Sequence, residues 1–139
     1  MKRNLQFKKV LNINADNALK VVTNFNKYED FVPGCTGASL ISRNPPIEIG
    51  RLEFNILGKK YFIESRNEIL ENSINIEQLK GPFDNFNGKW AVKKLDKDFC
   101  EVCFHAQFEL PFLLNAITPQ SLVESFSSNI IESFIKQAQ

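Results

Sequence analysis

Between two strand-like stretches the chain runs Gly81-Pro82-Phe83-Asp84-Asn85-Phe86-Asn87-Gly88-Lys89-Trp90, and no other feature narrows its folds so far. The Gly-Pro pair forces a turn, because proline fixes φ and has no N–H for a ladder. Phe86, Gly88 and Trp90 then alternate, so they share one face of the returning strand. An amphipathic helical pattern closes the sequence. A bent sheet closing round a large apolar interior satisfies both features. No array of acids, bases or metal ligands accompanies them. The expected task is therefore to hold or deliver an apolar molecule rather than to transform one.

The remaining chain supports one antiparallel meander. Residues 6–13 alternate, with Phe7, Lys9, Leu11 and Ile13 on one face. Asn14 suits a helix N-cap, with Asp16 in the first turn and Ala18, Val21, Val22 and Phe25 at helical spacing. A short helical turn follows and stops at Pro33-Gly34. Six further strands are predicted over 36–43, 49–57, 60–70, 73–80, 86–95 and 100–110. Their connections are short: Asn44-Pro45-Pro46, the Gly58-Lys59 hairpin, Glu71-Asn72, the Gly81 turn and Asp96-Lys97-Asp98. Thr118 is the expected cap of the last helix, with Pro119 at its first position. Leu122, Val123, Phe126, Ile130 and Phe134 fall on its apolar stripe, widened by Ile131 and Ile135, with Glu124, Ser128 and Glu132 opposite. The expected fold is an α+β helix-grip domain over residues 1–139. An antiparallel seven-stranded sheet wraps a long C-terminal helix, with two short helices after the first strand.

Composition bounds the partners. At 139 residues with 43% hydrophobic and 24% charged, the chain suits a single domain. Lys and Arg total 17 against 16 Asp and Glu, a balance that argues against DNA and against generic nucleic-acid binding. Thirteen phenylalanines against two tyrosines and one tryptophan suit a core or an apolar pocket lining. No apolar run is long enough to span a membrane. No apolar core follows Met1-Lys2-Arg3-Asn4, so no signal or transit peptide is expected. The expected setting is a bacterial cytoplasm, with the inner face of the cytoplasmic membrane as a peripheral station. Cys35, Cys100 and Cys103 are an odd number, which argues against a disulfide framework. Cys100 and Cys103 sit three apart on one strand and so face opposite ways; no metal site is expected.

At this point the residues carry a resemblance. Tyr28-Glu29-Asp30-Phe31-Val32-Pro33-Gly34-Cys35, Ser65-Arg66-Asn67, Gly81-Pro82-Phe83, Gly88-Lys89-Trp90 and Phe108-Glu109-Leu110 stand in order across nearly the whole chain. So arranged, the chain resembles the START-like (Bet v 1-like) polyketide cyclase/dehydrase superfamily. It is most similar to the branch of coenzyme-Q-binding proteins and the bacterial ribosome-association toxin. Glu29 and Gly34 depart from that branch, which usually has Pro and often Trp there. The resemblance implies a ubiquinone or similar polyprenyl quinone, bound non-covalently between sheet and helix and presented to respiratory or biosynthetic enzymes. It implies as alternatives a protein that binds the large ribosomal subunit and blocks subunit association, and an aromatase/cyclase acting on a polyketide.

Strand parity assigns the lining of such a cavity. Phe54, Ile56, Tyr61, Ile63, Ser65, Asn67, Trp90, Val92, Phe104 and Phe108 are expected to point inward from the sheet, and Phe126, Ile130 and Phe134 from the helix. Tyr61, Ser65 and Asn67 are the sparse polar groups there; they either contact a ligand or satisfy one another. His105 faces outward as a solvated residue. Glu64, Glu68 and Glu77 are outward charges that pair with Arg66 and lysines. No catalytic set is found. Phe112-Leu113-Leu114 is expected to pack against the sheet; its alternative is a membrane contact or a gate. Lys89, Lys93, Lys94 and Lys97 form either a solvated edge or a surface for anionic lipid or ribosomal RNA.

Overall fold

The computed structural model describes residues 2–56 and 58–139; the side chain of Ile56, one of the expected lining residues, lies outside the described residues. Seven strands form one antiparallel sheet: β1 (Arg3–Leu11), β2 (Cys35–Asn44), β3 (Ile47–Ile56), β4 (Lys59–Ile69), β5 (Ser73–Lys80), β6 (Asn85–Lys94) and β7 (Cys100–Glu109). Their order is β1-β7-β6-β5-β4-β3-β2, so β2 to β7 are a run of hairpins and β1 closes the far side. Between β1 and β2 lie α1 (Ala15–Thr23), a 3-10 turn (Phe25–Lys27) and α2 (Tyr28–Phe31). After β7 come α3 (Phe112–Ile117) and α4 (Gln120–Ala138). This is the α+β helix-grip arrangement that alternation and the C-terminal stripe predict.

Local chemistry accounts for the joints. The Asn14 carboxamide accepts the Asp16 N–H at 2.8 Å and caps α1. Gly34 at φ 79° turns the chain into β2, and Gly58 at φ 81° turns β3 into β4, conformations that side chains with a Cβ resist. Register shifts at Cys35/Gly37, Leu40/Ser42 and Glu64/Ser65 mark irregularities of the kind that increase strand bend and twist.

Strand and helix ends shift by one to three residues, with β3 starting at Ile47 rather than 49 and α1 ending at Thr23 before Phe25, and three differences go further. β1 begins at Arg3 and ends at Leu11, because β7 templates it from Arg3↔Phe108 to Leu11↔Cys100; Ile13 falls outside the strand. A six-residue helix, α3, stands where no element was expected; one and a half turns are too short for periodicity to show. Thr118 does not cap α4. Its hydroxyl donates to the Leu114 carbonyl at 2.7 Å and closes α3 instead, while Pro119 takes the cap position before Gln120.

The core sits between the inner face of the sheet, α1 and the C-terminal half of α4. Leu11, Ile74, Trp90, Val92, Cys100 and Val102 of the sheet gather with Ala18, Val22, Ile131, Phe134 and Ile135. Only that half of α4 is buried: Leu122 is 58% and Phe126 36% exposed. No described helix is long and apolar enough to cross a membrane.

Candidate functional site

Along α4 there is an occupied C-terminal half, packed in the core, and an open N-terminal half, whose large apolar side chains are exposed. In the occupied half Phe134 is the hub. Its ring meets Tyr28 at 5.0 Å, Phe31 at 5.2 Å and Trp90 at 5.0 Å, edge-on or tilted, as ring quadrupoles favour. Trp90 continues to Phe104 at 4.7 Å. A second cluster joins Phe83 to Phe86 at 5.2 Å and to Phe108 at 5.3 Å. Gly81 lies beside it: a Cβ there would stand 2.3 Å from the Gln78 side-chain oxygen and would displace that side chain. That carboxamide donates to the Phe83 carbonyl at 2.8 Å and accepts the Phe83 N–H at 3.3 Å, which fixes the turn.

Of the expected lining residues, Trp90, Val92, Phe108 and Phe134 are buried, and Phe54, Tyr61, Ile63, Phe104 and Ile130 half-buried. Phe126 is on the surface at the open half. Of the motif residues, Cys35 is buried, Tyr28, Phe31, Pro82, Phe83 and Gly88 are half-buried, and Pro33 and Gly81 are exposed. The Tyr28 hydroxyl donates to the Val22 carbonyl. Burial first, and the negative charge of Glu48 second, push its pKa above the ordinary tyrosine value.

Ser65 and Asn67 do satisfy each other in part: Ser65 Oγ donates to Asn67 Oδ1 at 2.9 Å. A third buried polar residue, Glu48, accompanies them and was not among the expected site residues. Leu52 and Phe54 point inward, and counting back by twos along β3 reaches Gly50 and Glu48, but the strand predicted from 49 stops short of Glu48, since β3 begins at Ile47.

At the open end, Phe112, Leu113 and Ile117 are 83%, 78% and 77% exposed. Burial of the Phe112-Leu113-Leu114 run against the sheet is thus corrected for its first two residues; Leu114 alone is half-buried. A short helix presents more than one face, and α3 turns two of these side chains outward. A surface hollow of 570 Å³ lies elsewhere, between Lys9, Pro33 and the C-terminal end of α4.

The outer face of the sheet is polar. Lys89, Lys93, Lys94 and Lys97 are exposed on β6 and its turn. Lys89 stands opposite His105 in register, and both line a 150 Å³ hollow with Asn87, Gly88 and Gln107. Glu64 pairs with Arg51 at 3.2 Å across β3 and β4, not with Arg66, because Arg51 is its register partner. Cys100 is buried inward and Cys103 lies on the other face. No group of three metal-binding side chains occurs among the described residues.

Comparison with known proteins places this geometry in context. Residues 11–135 match the family described as polyketide cyclase/dehydrase and lipid transport. The chain is 25% identical, over 90% of its length and 80% of theirs, to the ribosome association toxin RatA of Escherichia coli K12 and to the persistence and stress-resistance toxin PasT of Escherichia coli O6:H1. It is 21% identical to RatA of Vibrio cholerae, over 94% of this chain and 91% of that protein. Among solved structures, the Zhui aromatase/cyclase of a Streptomyces species superposes with a TM-score of 0.86 at 17% identity, covering 99% of this chain and 94% of that one. A START superfamily protein of Mycobacterium smegmatis superposes at 0.78 and 17%, covering 96% and 92%. These two structural likenesses are likenesses of fold.

Proposed function

The chain belongs to the polyketide cyclase/dehydrase and lipid transport family, and from that premise we propose that it works by binding rather than catalysis, docking on the large ribosomal subunit and opposing subunit association. The observation that carries this reading is the similarity to proteins named ribosome association toxins along 90% of the chain. Near-neutral net charge weighs against a ribosomal partner only if charge is evenly spread. Here Lys89, Lys93, Lys94 and Lys97 project from one strand and its turn, and phosphate contacts need local clustering, not a net excess. The test is sucrose-gradient sedimentation with purified subunits. The protein is expected to travel with the large subunit and to lower the fraction of joined ribosomes. Paired Lys93→Glu and Lys94→Glu changes are expected to abolish both effects. Absence of co-sedimentation at low salt would remove the reading; binding that survives both changes would move the contact to another surface.

A second reading, uptake of an apolar molecule such as a polyprenyl quinone, draws on a different observation. Phe112, Leu113, Ile117, Leu122 and Phe126 leave large apolar side chains exposed on α3 and the first turns of α4, where an apolar guest or a lipid surface would cover them. Mass spectrometry of an organic extract of detergent-free protein from a quinone-producing host tests it. A stoichiometric quinone supports uptake; an empty extract from folded protein counts against it.

A further inference from the structure

Glu48, Ser65 and Asn67 are the buried polar residues of the described core, at 9%, 6% and 8% exposure. Glu48 and Asn67 are register partners on β3 and β4, so their side chains stand next to each other on the inner face. The neighbouring pair is Gly50 and Ser65. Gly50 is required there, because a Cβ would come within 2.6 Å of the Phe25 ring. Phe25 stacks on Tyr28 at 5.2 Å, and Ile76 is Asn67's partner on the other side. Arg43 is Glu48's partner on β2 and makes no ion pair with it among the described residues; the other neighbours of the polar pair are apolar rings and chains.

Its hydrogen-bond inventory is incomplete. Asn67 Oδ1 accepts from Ser65, which leaves the two N–H groups of Asn67 Nδ2 without an acceptor among the described residues. The Glu48 carboxyl group has neither a donor nor an ion-pair partner among them. Every fully occluded side-chain nitrogen and oxygen among the described residues does have a partner. The unpartnered atoms of Glu48 and Asn67 must then border space that a small group can reach. A donor and an acceptor, each on a side chain more than nine-tenths buried, face the interior together. Leaving them so is unfavourable unless something else completes their bonds.

We propose that Glu48 and Asn67 form the polar end of a site for an apolar molecule that carries a hydroxyl group. One hydroxyl completes both: its O–H donates to the Glu48 carboxyl oxygen, and its oxygen accepts from Asn67 Nδ2. A carbonyl can only accept, and would set its lone pairs against those of Glu48. The inference rests on the uptake reading above and sharpens it, favouring a phenol, alcohol or quinol over a ketone or quinone.

The test compares 4-hexylphenol with 4-hexylanisole, in which a methyl group replaces the hydroxyl proton. Trp90 is the one tryptophan in the chain and reports binding by fluorescence, with calorimetry as a second measure. The phenol is expected to bind about tenfold tighter or more, since a site built around a hydroxyl discriminates against analogues lacking it. In Glu48→Met, checked for folding by circular dichroism, that preference is expected to collapse toward one. Equal affinity for the two probes in the unaltered protein would overturn the hydroxyl site and leave apolar uptake standing. Failure of both to bind would overturn both. A preference unchanged in Glu48→Met would overturn the role of Glu48, and if that variant does not fold, the unaltered protein alone decides.

Discussion

Arg3 and Asn115 are joined twice across the seam between β1 and α3: Arg3 Nε donates to Asn115 Oδ1 at 2.9 Å, and Nη2 to the Asn115 carbonyl at 2.9 Å. Nη2 also donates to the Thr118 carbonyl at 2.6 Å. One guanidinium thus takes up backbone carbonyls at the end of α3, a helix with no side-chain N-cap and with its apolar residues turned outward. Charge-assisted bonds of this kind are worth about 1.5–3 kcal/mol when part-buried.

Replacing Arg3 with Met should therefore release the α3–α4 joint without unfolding the sheet. Hydrogen exchange across residues 111–120 is expected to accelerate about tenfold or more, with β4 and β5 unchanged. Unaltered protection at 111–120 would mean that the joint is held by something other than Arg3.

The two halves of α4 should respond differently to truncation. Phe134→Ala removes ring contacts to Tyr28, Phe31 and Trp90 and opens a cavity, so a loss of about 3–5 kcal/mol is expected. Phe126→Ala, at the exposed half, is expected to lose under about 1 kcal/mol. Urea unfolding of both variants decides; similar losses would show that the helix is packed along its whole length.

That difference was not legible in the sequence, and the reason is physical. Phe126 and Phe134 hold equivalent places on one stripe, and spacing reports which face is apolar, not how far the facing sheet reaches. The strands were legible because alternation and short turns leave few other pairings, and parity placed Ser65 and Asn67 inside and His105 outside. Glu48 was missed because the predicted strand began at 49, whereas β3 begins at Ile47. The Arg3 clamp was not legible: it joins residues 112 positions apart, and no local pattern announces such a contact. α3 was hidden because Pro111 and Thr118 read as the preface to one helix rather than as the bounds of another.

Alkaline pH should destabilise the protein. Burial raises the pKa of Tyr28, with Glu48 adding to the effect. Burial also raises the Cys100 thiol, and is the first cause of the rise at Cys35 and Cys103. Each group binds its proton more tightly folded than unfolded. Its contribution is full below its ordinary pKa, about 9 for the thiols and about 10 for the phenol, and is lost as pH rises past that value toward the folded one. Stability is expected to fall by up to about 1.4 kcal/mol per pH unit for each group engaged. Urea midpoints between about pH 8 and 11 test this, and Tyr28→Phe should flatten the slope above pH 10. A parallel slope in that variant would remove Tyr28 as a cause.

Glu48→Met should stabilise the empty protein. A largely buried carboxyl group with no protein partner is unfavourable, and replacing it with an apolar side chain of similar length removes that penalty and adds buried hydrocarbon. Glu48 is 9% exposed and stands between Arg43 and Asn67 in its inner-face row, with Ile76 beyond Asn67, so the methionine would be mostly buried there. A gain of about 1–3 kcal/mol is expected in urea at neutral pH. The direction matters more than the size. A residue that lowers stability when nothing is bound is accounted for by what it binds, whereas a residue holding the sheet together would lose stability on replacement. A loss of more than about 1 kcal/mol in Glu48→Met would therefore assign Glu48 to the architecture of β3 and β4 and leave the interior polar pair without a ligand to complete it.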